Sequence, residues 1–169
     1  MTPGTLVLLH APHGRSSDWG DLPEALRTAG PDVIAPDVPA EAGMRYVARA
    51  SLEIAAAVPS EPLVLVAHGG AGPLLPAIAL AQRAAHRKIS GYVFIDAAFP
   101  RTAGLHDHAA PEVAVPPDWP EAPCGYLRTS AAEPAEAADR SVREARLRGW
   151  PVIEQELSAP VLAEIIALL

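Results

Sequence analysis

The groups in this chain best suited to moving a proton are its six histidines, His10, His13, His68, His86, His106 and His108. Histidine titrates near neutral pH without help from its surroundings, so one held in a pocket can serve as general acid or base. His10 and His13 open the loop-like stretch His10-Ala11-Pro12-His13-Gly14-Arg15-Ser16-Ser17-Asp18-Trp19. His106-Asp107-His108 falls in a proline-broken stretch from Phe99 to Pro123, and Asp96 ends an apolar run. His86 stands beside Arg83, Arg87 and Lys88 near the end of a helical segment, where a cation favours the helix terminus. His106, Asp107 and His108, with His13 as third ligand, have donor types suited to zinc or another divalent ion. That spacing aligns two rings only on a strand, and on a loop it guarantees nothing. Acid–base chemistry by His13, His106, His108 and Asp96 is therefore the expectation, with no metal and no cofactor.

These groups need elements to position them. Pro62-Leu63-Val64-Leu65-Val66-Ala67 is an apolar run that ends in the small-residue cluster His68-Gly69-Gly70-Ala71-Gly72. A long Ala- and Leu-rich segment follows, which reads as buried strand, sharp turn and helix. The pattern is that of a strained strand-to-helix elbow, which presents one side chain above the edge of a sheet. Gly69 falls at the presenting position and has no side chain to offer. A dinucleotide-binding loop fits less well, because G-x-G-x-x-G is absent and Asp96 lies too far beyond the glycines.

Further strands are expected at Thr5–Leu9, Val33–Ala35, Tyr92–Ile95, Gly125–Arg128 and Pro151–Leu157, the last at an edge. Helical spacing marks Leu22–Ala29, Met44–Val58, Leu74–His86, Pro134–Arg148 and Ala159–Leu169. Six strands alternating with five helices predict an α/β fold with a doubly wound, mostly parallel sheet. Ligands of such sheets bind at the carboxyl ends of the strands. The predicted site is thus built from residues 10–19, 36–43, 67–72 and 96–123.

The order of these segments resembles the α/β-hydrolase superfamily, in particular its small lidless bacterial members. Their elbow reads approximately Val-x-His-Ser-Gly-Ala-Gly-Pro-Leu-Leu-Pro, and this chain differs chiefly in placing Gly69 at the serine. The resemblance extends over residues 6–19, 91–101 and 124–157, most of the chain. It implies a lidless fold whose leading β-hairpin is missing, with residues 99–123 at the usual lid position. A serine hydrolase on that fold requires Ser, then Asp or Glu, then His. Glu133, Glu136 and Asp139 stand near the acid position but read as the solvated face of a helix, and no histidine follows His108. One oxyanion donor is implied at Gly70. The other is implied near Pro12, which has no N–H, so that His13 or Ala11 would have to replace it. His10 and His68 sit where many relatives hold a histidine that serves loop structure. With Gly69, Gly70 and Pro12 they complete the expected substrate-binding set.

Length and charge limit the alternatives. At 169 residues the chain is read as one domain, residues 1–169. A net charge of -7, with acidic groups scattered, argues against nucleic acid or an anionic membrane as partner. Cys124 is the single cysteine, which leaves no internal disulfide. No membrane span or leader is visible, so a cytoplasmic protein is expected. A small-molecule substrate or ligand is the expected partner, and a homodimer is compatible with the sequence. The reading that follows is a non-hydrolytic enzyme using the old acyl pocket for cyclisation, dehydration, isomerisation or a lyase step. Its rival is a non-catalytic pseudohydrolase that binds a ligand or a protein. A hydrolase with a displaced nucleophile, Ser16 or Ser17, ranks third.

Overall fold

A computed structural model describes residues 4–101, 113–132 and 134–169. Strand β1 (Thr5–Leu9) is buried along its whole length, as an apolar run covered on both faces should be. The other strands are β2 (Asp32–Ile34), β3 (Leu63–His68), β4 (Ile89–Ile95), β5 (Cys124–Arg128) and β6 (Val152–Glu154). They form one sheet in the order β2-β1-β3-β4-β5-β6. Every pairing is parallel. The chain winds outward from β1 to β2, then returns to place β3 on the other side of β1. That reversal is the switch point of a doubly wound sheet.

The helices are α1 (Leu22–Ala29), α2 (Gly43–Ala56), α3 (Leu75–Ala84), α4 (Ala135–Leu147) and α5 (Ala159–Ala167). Alternation along β3 sorts the core into two layers. Leu63, Leu65 and Ala67 face Tyr46 and Ile54 of α2, Ile78 of α3 and Val142 of α4. Val64 and Val66 face Leu26 of α1 and Ile165 of α5. Both faces of the sheet are therefore closed by helices, which is why its strands carry apolar runs rather than alternation.

Three elements differ most from the sequence reading. The helix expected from Leu74 is preceded by a 3-10 turn, Gly69–Leu74. Glycines and Pro73 favour that tighter start, since proline brings no N–H to an α-helical ladder. Strand β4 starts at Ile89, earlier than the apolar run, and its register against β3 shifts between Leu63 and Val64. Strand β6 is only three residues long, because it pairs with β5 alone at the sheet edge.

Parts of the stretch at residues 99–123 pack against the body of the fold. Phe99 lies 5.0 Å from the Phe94 ring and 5.0 Å from the Trp150 ring. Trp119 lies 4.3 Å from Tyr92, whose hydroxyl donates to Glu121 Oε1 at 2.5 Å. Arg83 on α3 reaches Asp118 at 3.1 Å.

Candidate functional site

The elbow is built as its residues require. β3 ends at His68, and Gly69 turns the chain with φ +55°, a left-handed conformation that glycine adopts at little cost. A Cβ at Gly69 would lie 3.4 Å from Ala11 Cβ, an ordinary contact. One at Gly70 would lie 3.2 Å from Pro12 Cδ. At Gly72 it would collide with the Ala98 carbonyl oxygen, so only hydrogen fits there. The elbow is thus clamped between the loop after β1 and the chain leaving β4.

A pocket of about 240 Å³ opens beside it at the carboxyl edge. Gly69 and Gly70 meet there with Asp96, Tyr126 of β5 and Ser141 of α4, and alanines such as Ala138 supply much of the remaining wall. A larger hollow of about 500 Å³ sits at the opposite end of the strands, near Thr5, Asp32 and Ser60, away from the elbow.

Asp96 is held on two sides. The Thr129 amide donates to its Oδ1 at 2.8 Å and the Thr129 hydroxyl to its Oδ2 at 2.6 Å. Thr129 Oγ1 in turn accepts from the Ala131 amide at 3.2 Å. Asp96 has φ +46°, a region aspartate tolerates better than most side chains. These bonds tie the end of β4 to the end of β5 and fix the carboxylate on the pocket wall. Burial pushes the Tyr126 phenol up to about 12. Ser141 pulls it back, and the Asp96 charge raises it further. The phenol is therefore a neutral hydrogen-bonding group at neutral pH.

The histidines do not gather there. Val38 N–H donates to His10 Nε2 at 3.0 Å. The other ring nitrogen, Nδ1, then carries the proton and donates to the Ala11 carbonyl at 2.8 Å. The Tyr46 hydroxyl, its pKa driven up by burial, donates to the His10 carbonyl at 2.6 Å. His10 is 1% exposed, so it pins the loop and has no ring nitrogen left for a substrate. His13 is exposed, with φ +66°, and lies outside the pocket wall. The side chain expected to do acid–base chemistry is thus apart from this pocket: its positive φ turns the loop, and the His13 amide donates to the Glu41 carbonyl at 3.2 Å. That bond also removes His13 as the substitute oxyanion donor and leaves Ala11. His68 falls on the α1 and α5 face of the sheet by strand alternation, where its ring lies 5.8 Å from Trp19. Neither it nor Pro12 lines the pocket, although Pro12 packs against Gly70. His106 and His108 lie outside the described residues.

The described parts of residues 99–123 do not line the pocket either; the N-terminal half of α4 takes that place. Ser16 and Ser17 sit in a 3-10 turn, Ser16–Trp19, at the far side of the loop after β1. The Ser16 amide donates to Asp37 Oδ1 at 2.8 Å and holds that carboxyl below its usual range, with help from the Ser16 side chain. Among the described residues no hydrogen bond joins a serine to a histidine, and no three His, Cys, Asp or Glu side chains cluster to hold a metal ion.

Comparison with family models and with curated protein sequences finds no match. Solved structures do match. An extracellular α/β-hydrolase from a Paenibacillus species superposes with a TM-score of 0.70 at 14% identity, over 98% of this chain and 98% of that one. A point mutant of tomato methylketone synthase I gives 0.66 at 13% identity over 99% of this chain and 98% of that one. Polyneuridine aldehyde esterase gives 0.62 at 16% identity over 93% and 91%. The parallel six-stranded sheet, its elbow after β3 and these neighbours define a protein of the α/β-hydrolase fold. Within that fold, this chain presents a bare glycine at the elbow and a pocket whose one charged wall residue, among the described residues, is Asp96.

Tyr126 and Ser141 are the pocket residues that sequence reasoning missed. Ser141 had a readable signal, since it is a hydroxyl close to the stripe of Ala138, Val142 and Ala145 that α4 buries. Tyr126 had none, because a tyrosine inside an apolar strand looks like core.

Proposed function

We propose that this protein is a non-hydrolytic small-molecule enzyme in which a ligand sits over Gly69 and Gly70 and Asp96 carries the proton. The observation that supports it most is the placement of a fixed carboxylate in a pocket that touches the glycine elbow. No acyl-enzyme can form at an elbow without a nucleophile. A carbonyl compound could still be held by backbone amides there while Asp96 removes or returns a proton, as in cyclisation, dehydration, isomerisation or a lyase step. Of the structural neighbours, one is a synthase whose structure has been determined with 2-tridecanone, a ketone, and the others are a hydrolase and an esterase. The protein acts, in this reading, as a single cytoplasmic domain on a small molecule, without nucleic acid or membrane. Among the described residues, no helix is long and apolar enough to cross a membrane.

A second reading, a ligand-binding pseudohydrolase without chemistry, is favoured by the exposure of His13 and the engagement of both Asp96 oxygens by Thr129. Nuclear magnetic resonance separates the two. Small carbonyl fragments should shift the amide signals of Gly69, Gly70 and Asp96, and the fragment that is turned over should change its own spectrum with time. Asp96→Asn should slow that change about 10²- to 10⁴-fold, the usual share of a general acid or base. Fragments that bind and come back unchanged would give the second reading first place.

A further inference from the structure

The pocket also carries a rule for which molecules enter it. Among the described residues its lining has one full charge, Asp96, and no cation. Arg128, in the adjoining hollow that shares Ala132 with the pocket, is already paired with Asp139 at 2.5 Å and Glu154 at 3.6 Å. Each Asp96 oxygen accepts one bond from Thr129, and a carboxylate oxygen has two acceptor sites, so capacity remains for a donor from a ligand. Gly69 and Gly70 line the same pocket. Tyr126 and Ser141 add two neutral hydroxyls. The remaining wall is mostly alanine, too small and apolar to neutralise a second charge.

We propose that the pocket selects small neutral molecules that carry an N–H donor, primary amides above all, and rejects carboxylates of the same shape. The N–H faces Asp96. A carboxylate places a like charge against Asp96 and loses the donor, and a site that expects a donor discriminates strongly against its absence. The inference rests on the reading that ligands bind over Gly69 and Gly70.

Hexanamide and hexanoate are a matched pair for the test, since they differ only at the terminal N–H₂ or O⁻. Titration of the isotopically labelled full chain at neutral pH should show hexanamide shifting the Gly69, Gly70 and Asp96 amides, with hexanoate at least tenfold weaker. In Asp96→Asn the two should come within about threefold, because Asn keeps the shape without the charge. Equal binding of both by the unaltered protein, or tighter binding of hexanoate, would overturn the selection rule and leave the pocket standing. Shifts confined to residues away from Gly69 and Gly70, or none with either compound, would overturn the pocket reading itself. The comparison in the unaltered protein stands even if Asp96→Asn fails to fold.

Discussion

Two loops leave the carboxyl edge of this sheet with residues able to move protons, and they use them in opposite ways. After β1, His10 spends both ring nitrogens on the backbone and His13 turns the chain into solvent. After β4, Asp96 is fixed by Thr129 yet remains on a pocket wall. In the proposed reading the loop after β1 is scaffold although it holds two histidines, and Asp96, where the chain leaves β4, supplies the site. In that reading reactivity depends on which groups are left accessible after the hydrogen bonds of the fold are made, more than on the number of titratable side chains.

That contrast can be broken at several points. The largest effect is expected in catalysis: Asp96→Asn should lower turnover about 10²- to 10⁴-fold, while His13→Ala leaves it unchanged, in the same fragment-conversion assay. Equal losses in both would erase the difference between the loops. Next is the clamp on the elbow. Gly72→Ala drives a Cβ toward the Ala98 carbonyl and should cost about 3 kcal/mol in urea unfolding, as severe overpacking does. Gly70→Ala meets only the Pro12 ring and should cost about 1 kcal/mol or less. His10→Ala strands the buried Val38 amide and should cost about 2 kcal/mol, against less than about 0.5 kcal/mol for His13→Ala. Smallest is Gly69→Ser. The left-handed φ should cost about 1 kcal/mol, and ester hydrolysis should stay at background because no described histidine reaches that position. Sustained turnover by that variant would show that a base does reach the elbow.

Much of the scaffold was legible. Strands buried on both faces leave apolar runs such as Leu63–Ala67, and Gly30 and Pro31 mark where α1 must stop. The elbow was legible because few other structures need small residues packed so densely after a strand. Asp96 could be placed at the edge because it ends β4. The fates of the histidines could not be read, since they are decided by partners distant in sequence. His10 is captured by Val38, 28 positions on, and Asp96 by Thr129, 33 positions on. The pocket wall was misplaced for the same reason. Residues 99–123 lie near the elbow in the chain, but where described they carry Phe99, Val113 and Trp119, which fill the core, and α4 closes the site instead.

The central claim is that this fold works, in this protein, without a serine nucleophile. Intact-mass measurement after incubation with a fluorophosphonate probe tests it most directly, with peptide mapping of any adduct. The account predicts an unmodified chain. A stoichiometric adduct on one serine, Ser16 or Ser17 above all, would contradict it and place a nucleophile in the loop assigned here to scaffolding.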